Sequence, residues 1–431
     1  IRNAGVVLPG NIQKTDVSVI NGVINAIGSE IPDVGEVVDA EGLFLIPGII
    51  DPQVHFREPG ADHKEDLHSG SCAAAAGGVT SFLDMPNNNP PVTTIKRMAE
   101  KKQLAAEKSV VNYGFFIGAT PDNLEELNAV ENVCGIKIFM GASTGDLLVD
   151  DPDTLESIFA NGTKLIAVHA EDESILQENR RLMKGIDDVR IHSRIRDESA
   201  ALSATKLAVR LSIKYLRRLH ILHLTTEEEC DFLRTLPREH HISTEVCPQH
   251  LVLTSPECYE HLGTKAQMNP PIRSKRHTVA LWQALKDGII DCIATDHAPH
   301  TLAEKKQPYG MSPSGMPGVE TSLALMLDRV NRDLCTLPEV VYWMSESPAK
   351  LYKMHGKGRI EVGQDADLAL IDMSLKKKVT NGKLHTKVNW SPFDGMEMQG
   401  WPVRTIVNGQ TVFLNGEVNK SVRGKEICFA S

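Results

Sequence analysis

Apolar and polar positions along the chain follow two rhythms. Toward both ends they keep the short period of half-exposed strands. "DVSVINGVINAIG" predicts a hairpin turned at Asn21-Gly22, and "DADLALID" (365–372) and "PVRTIVNGQTVFLNGEV" (402–418) predict further strands with Asn-Gly turns at 408 and 415. The ends read alike and the middle does not. They predict one small β-sandwich domain assembled from both chain termini, residues 1–48 and 357–431.

Between them lie eight β-branched apolar runs: "LFLIPGIIDPQVH", "VTSFLDMPN", "VNYGFFIGAT", "VCGIKIFM", "KLIAVHAED", "RLHILHLTT", "ISTEVCPQH" and "GIIDCIATDHAPH". Each ends in polar or small residues. Most are separated by segments with apolar positions spaced for one buried helical face, such as 64–78, 94–108 and 196–218. Eight strand–helix units predict an α/β fold, a (β/α)8 TIM-type barrel over residues 49–356, with its working groups at the C-terminal ends of the strands.

Candidate ligands fall at those ends. His55 closes the first run, Lys137 lies in the fourth, His169 ends the fifth, His223 the sixth and Asp296 the eighth. Neutral imidazoles and a carboxylate suit a borderline divalent ion such as zinc, and a catalytic site keeps one position open. Any one of these histidines alone would be a hydrogen-bonded core residue; four ligands at strand ends converge on one barrel mouth. Lys137 is the odd member, because an ammonium beside a metal is repelled. Either it pairs with a carboxylate, or its amine has reacted with CO2 to give an anionic carbamate able to bridge two metals.

Composition narrows the picture. The chain has 431 residues, 41% hydrophobic and 24% charged, enough for one large core and a smaller one. A net charge of -10 offers no field for a polyanion, so nucleic acid is excluded as a partner and small-molecule chemistry is favoured. The eight cysteines are scattered without a CxxC or compact framework, as expected of reduced thiols in the cytoplasm. The start "IRNAGVVLPG" has no signal-peptide core and reads as slightly trimmed. No apolar stretch reaches the roughly 20 residues needed to span a bilayer, so no membrane association is expected.

Taken together, "DPQVHFREPG", "DMPNNNPP", "GIKIFMGASTGDLLVDD", "VHAED", "HILHLTT", "MNPPIR" and "ATDHAPHTLAEK" resemble the dihydroorotase branch of the amidohydrolase superfamily, with dihydropyrimidinases and allantoinases as near relatives. "SPFDGM" (391–396) is similar to a segment those enzymes carry after the barrel. The resemblance implies reversible cyclisation of N-carbamoyl-L-aspartate to L-dihydroorotate, one or two Zn2+ ions, a CO2-derived carbamate on Lys137 and a homodimer. It implies that His55 is the second histidine of an H-x-H pair, that His169 and His223 hold the second metal, and that Asp296 binds metal and shuttles a proton. Arg57 and Asn87 match substrate-carboxylate contacts, and Asn269 and His300 resemble further pocket residues. Arg57 also fits on chemical grounds: two positions after His55 it shares a strand face, and a guanidinium can take a carboxylate bidentately.

Two departures stand out. Gln53 occupies the place of the first histidine, and an amide oxygen is a weaker zinc ligand than imidazole. The inner metal is then held by His55, Lys137 and Asp296 alone, or binds weakly or not at all, or catalysis has been lost. Because the other ligands remain, an active enzyme with altered metal occupancy is expected. Gln249 in "VCPQHL" follows the dihydropyrimidinase form and keeps a dihydropyrimidinase or allantoinase activity open. A non-catalytic subunit supporting a partner such as aspartate transcarbamoylase is the remaining alternative, resting on Gln53. His63, His68, His192, His220, His241, His250 and His297 receive no metal role and are expected at the surface or in packing; His192 lies in a family-like segment, "IHSRIRDE".

Overall fold

The computed structural model describes residues 1–29, 31–32, 35–143, 147–237 and 241–430. Thr144, Gly145 and Asp146 of the "GASTGD" motif therefore lie outside the described residues. The N-terminal strands are β1 (Ala4–Leu8), β2 (Asn11–Ile20), β3 (Val23–Gly28) and β4 (Phe44–Pro47). Eight central strands follow: β5 (Ile49–Val54), β6 (Val79–Asp84), β7 (Asn112–Gly118), β8 (Gly135–Phe139), β9 (Ile166–His169), β10 (Leu219–Ile221), β11 (Ile242–Val246) and β12 (Cys292–Ile293). The chain closes with β13 (Leu368–Lys378), β14 (Glu397–Val407), β15 (Gln410–Leu414) and β16 (Glu417–Val418).

Both termini join one mixed sheet in the order β16-β15-β14-β13-β4-β1-β2-β3, antiparallel except where β1 meets β4. The Asn-Gly turns are where the sequence pattern puts them. Asn21 and Gly22, and likewise Asn408 and Gly409, all have positive φ, as a two-residue hairpin requires. The two turns touch: a Cβ on Gly22 would lie 2.8 Å from the Asn408 carbonyl oxygen, so only glycine admits the contact. The β2–β3 hairpin thus folds back over β13 and β14, enclosing an apolar core that includes Val6, Val17, Ile24, Leu45, Leu368, Leu370 and Ile406. At Gly48 the first apolar run divides, giving β4 to this sheet and β5 to the other.

The central strands pair in chain order, all parallel, from β5 to β12. β5, β6 and β7 are buried along their whole length, which is why they read as unbroken apolar runs rather than alternating ones. The expected helices form at Leu67–Ala76, Ile95–Lys108 and Glu198–Tyr215. Each starts where Asp66, Thr94 or Asp197 accepts from the backbone N–H three residues on, a satisfied N-cap.

Closure between the last and first strands relies on a side chain. β12 has only two residues, and the Asp51 carboxylate on β5 takes the place of ladder bonds, accepting from Thr295 N at 3.0 Å and Thr295 Oγ1 at 2.5 Å. Beyond them His55 N donates to His297 O at 2.7 Å. Burial raises the Asp51 pKa to about 7, against the pull of its hydrogen bonds. After β16 the chain returns to the barrel, where Ile427 N donates to Tyr113 O at 2.9 Å and Gly424 N to Ser109 O at 3.0 Å. All eight cysteines are free thiols, and no helix among the described residues is long and apolar enough to cross a membrane.

Removing the Asp51 carboxylate strands two buried donors on Thr295. Asp51→Ala is expected to cost about 2–4 kcal/mol of unfolding free energy, read from urea denaturation. An unchanged midpoint would contradict the closing role.

Candidate active site

The strand ends deliver their side chains to a single tight cavity of about 20 Å3 at the barrel mouth. It is lined by Gln53, His55, Arg57, Asn87, Lys137, His169, His223, Asn269 and Asp296, together with Phe139, Ser143, Ala298, Ser314 and Gly315. Of the expected metal and substrate residues, His300 lies behind this lining, in contact with Arg57.

Backbone strain helps aim the groups. Arg57, His223 and Asp296 have φ of 63°, 35° and 46°, a left-handed conformation that L-residues adopt at a cost of roughly 1–3 kcal/mol each. The first of these turns is held from below. Asp84 at the end of β6 accepts from Phe56 N at 2.9 Å, and the buried Lys101 ammonium pairs with Asp84 at 2.6 Å.

Two clusters face each other across the cavity. On one side His169 Nδ1 and His223 Nε2 are 3.0 Å apart. His169 Nε2 donates to Glu171 Oε2 at 2.7 Å, which places its proton there and leaves the Nδ1 lone pair turned to the cavity. Burial would push the Glu171 carboxyl up, but the Arg196 guanidinium and His169 hold it well below the usual carboxylate range. Arg196 pairs with Glu171 and also donates to Ala142 O at 2.9 Å, tying the residues before Ser143 to the same carboxylate. Burial depresses the pKa of both His169 and His223, favouring the neutral, lone-pair-bearing form.

On the other side Asp296 Oδ1 lies 3.0 Å from His55 Nε2 and accepts from Gln53 Nε2 at 3.2 Å. His55 Nδ1 donates to Asn87 Oδ1 at 2.7 Å, so Nε2 faces the carboxylate with a lone pair unless a cation or proton intervenes. Gln53 Oε1 is buried without a partner among the described residues. Between the clusters stands Lys137, 1% exposed, its Nζ 4.5 Å from the Phe139 ring centroid and engaged in no hydrogen bond among the described residues. Burial lowers its pKa to about 7, against Asp296 and Glu245, so a neutral amine is accessible.

This donor set fits a divalent cation. Imidazole nitrogens with lone pairs turned to one cavity, a carboxylate oxygen and an orphaned amide oxygen are N/O ligands of the type zinc takes. The residues that could hold one are His55, Lys137, His169, His223 and Asp296, with Gln53 adjacent. A separate buried trio, His220, Glu245 and Cys292, also brings ligand atoms within 4.8 Å of one another, but His220 Nε2 and Glu245 Oε2 already bond at 3.0 Å.

Arg57 presents the opposite need. Its Nε donates to Pro299 O at 3.1 Å, yet no carboxylate among the described residues pairs with its guanidinium. Burial lowers its pKa to about 10, so it is charged at neutral pH. Asn269 is set by His192, whose Nε2 lies 3.0 Å from Asn269 Oδ1; burial lowers that imidazole to about 4. Gln249 does not line the cavity and donates to Thr295 O at 2.8 Å. Sequence reasoning missed Glu171 and Arg196. Glu171 carried a signal, standing two residues after His169 in "VHAED"; Arg196, far along the chain, carried none.

The profile described as amidohydrolase family matches residues 44–412. The chain is similar to a dihydroorotase of Methanosarcina acetivorans, at 36% identity over 99% of this chain and 94% of the relative. It is 31% identical to an L-hydantoinase of Paenarthrobacter aurescens over 97% of this chain and 95% of that one. Among solved structures, an L-hydantoinase (dihydropyrimidinase) from Arthrobacter aurescens superposes with a TM-score of 0.94 at 30% identity, covering 99% of this chain and 98% of that one.

Because Glu171 fixes the imidazole of His169, Glu171→Gln is expected to weaken zinc binding about 10–100-fold in competition with a chromogenic chelator. An affinity equal to that of the unaltered protein would remove Glu171 from the account.

Proposed function

The chain belongs to the amidohydrolase family, and on that footing we propose that it is a dihydroorotase, interconverting L-dihydroorotate and N-carbamoyl-L-aspartate in pyrimidine synthesis in the cytoplasm. One observation carries the choice of substrate: Arg57 is a buried guanidinium at the cavity, and no carboxylate among the described residues pairs with it. L-dihydroorotate brings that carboxylate; hydantoins, dihydrouracil and allantoin do not. The likeness to hydantoinases supports the shared ring-opening chemistry.

His55, Lys137, His169, His223 and Asp296 would hold the divalent ion, zinc by the chemistry of the set, with Lys137 as its CO2 adduct. The adduct forms when the neutral amine adds to CO2 and releases one proton, giving an anion that removes the cost of a lone buried ammonium. When bound, the ion supplies Lewis acidity toward a carbonyl and acidifies water. Gln53 is not a sign of lost catalysis, since its amide is engaged with Asp296 and its oxygen remains available.

The protein's own groups do the rest. Arg57 grips the substrate carboxylate and, with Asn269 at the cavity wall, fixes the ring over the strand ends. Asn87 holds His55 in place through Nδ1. In the hydrolytic direction Asp296 takes a proton from the attacking water and returns it to the ring nitrogen as the C–N bond breaks. The products are the new carboxylate and the ureido NH2. Ring closure runs the same transfers backward and consumes one proton, so it is favoured as pH falls.

With zinc and bicarbonate present, the protein is expected to turn over L-dihydroorotate in preference to dihydrouracil, hydantoin and allantoin. Arg57→Met should lower kcat/KM for L-dihydroorotate on the order of a hundredfold, the worth of a lost charge-assisted pair, while leaving any activity on neutral rings nearly unchanged. Preference for a neutral ring in the unaltered protein would assign the site to the hydantoinase type instead. Asp296→Asn should retain substrate binding by calorimetry and lose most turnover; a fully active variant would remove the proton-transfer role.

A further inference from the structure

His300 is 1% exposed and stands behind Arg57, where three polar neighbours surround its ring. Lys64 Nζ lies 3.0 Å from Nδ1, Ser314 O lies 3.0 Å from Nε2, and Arg57 Nη2 lies 3.2 Å from that same Nε2. An ammonium and a guanidinium only donate, and a carbonyl only accepts. Burial, with Arg57, Lys64 and Lys305 close by, keeps the imidazole pKa well below its ordinary value, so the ring is neutral and has one N–H and one lone pair.

These three neighbours cannot all be satisfied. Two arrangements exist. In the first, the Nδ1 lone pair accepts from Lys64 and the Nε2 hydrogen goes to Ser314 O; Arg57 Nη2 then faces an N–H and has nothing to donate to there. In the second, Nδ1–H points at the Lys64 ammonium, Ser314 O loses its donor, and Arg57 Nη2 is committed to the Nε2 lone pair. A fixed positive charge at Lys64 makes the second arrangement the costly one. Lys64 is itself held by Glu304 at 2.8 Å, and Glu304 closes the capping box of the helix Leu302–Lys305 through Thr301.

We propose that Lys64 is a positioning residue that locks His300 in its Nε2–H tautomer and so keeps the outer nitrogens of Arg57 free for the substrate carboxylate. The inference rests on the dihydroorotate reading for its substrate and on the three contacts of a neutral imidazole for the tautomer. Lys64 touches no reacting atom. It acts by denying His300 the lone pair that would otherwise capture one arm of the Arg57 fork, whose Nε is already spent on Pro299 O.

Lys64→Met is expected to raise KM for L-dihydroorotate about tenfold, the equivalent of about 1.4 kcal/mol, with kcat nearly unchanged. Lys64→Arg supplies another obligate donor and should restore KM. In the substrate-free protein, 15N spectra of the histidine rings, with His300 assigned from signals missing in His300→Gln, should show protonated Nε2 in the unaltered protein and in Lys64→Arg. They should show protonated Nδ1 in Lys64→Met. A ring protonated at Nδ1 in the unaltered protein, a Lys64→Met variant with unchanged KM, or a loss that Lys64→Arg does not restore would each overturn the lock. The spectra need no substrate, so a protein inert toward L-dihydroorotate would defeat the functional reading while the tautomer still decided the lock.

Discussion

A buried amine without a hydrogen-bond acceptor is costly, and among the described residues Lys137 at the barrel mouth meets only the face of the Phe139 ring. Its neighbours do not relieve it by hydrogen bonding; they surround it with imidazoles and a carboxylate. Two of the imidazoles have their outward atom engaged by a partner behind them. Glu171 holds His169, and Asn87 holds His55. These bonds leave His169 Nδ1 and His55 Nε2 turned toward the cavity beside the Asp296 carboxylate, an arrangement that suits a cation. The barrel is the scaffold that makes this possible, since it alone brings β5, β8, β9, β10 and the end of β12 to one opening.

The mouth divides its electrostatic work. The cluster of His55, His169, His223 and Asp296 wants a cation, and the buried Arg57 wants an anion. Separate wants in one cavity match a substrate with a carboxylate at one end and a reactive amide at the other. The division is held by strained backbone at Arg57, His223 and Asp296 and by side chains away from the chemistry, Asp84, Arg196 and Lys64 among them.

Much of this was legible in the sequence because it obeys period and position. Eight apolar runs with polar ends describe parallel strands buried on both faces, and Asn-Gly pairs mark the hairpins of the terminal sheet. The candidate ligands were visible because they end those runs. What stayed hidden depends on contacts between distant residues. Closure by Asp51 onto Thr295 looks in sequence like one more acidic residue at a strand. The supports Arg196 and Lys64 sit on a helix flank and in a loop, where charged residues are usually solvated. Asn87, read from motif as a substrate contact, also orients His55, a second task no local pattern could disclose. Gln53 could be seen to break the H-x-H pattern, but only its placement beside Asp296 shows that the position still belongs to the site.

Anomalous diffraction at the zinc edge, from crystals grown with zinc and bicarbonate, tests the central claim most directly. A peak is expected at the mouth beside His169 Nδ1 and His223 Nε2, with density for a carbamate on Lys137. A bare Lys137 and no anomalous peak among these side chains would contradict it.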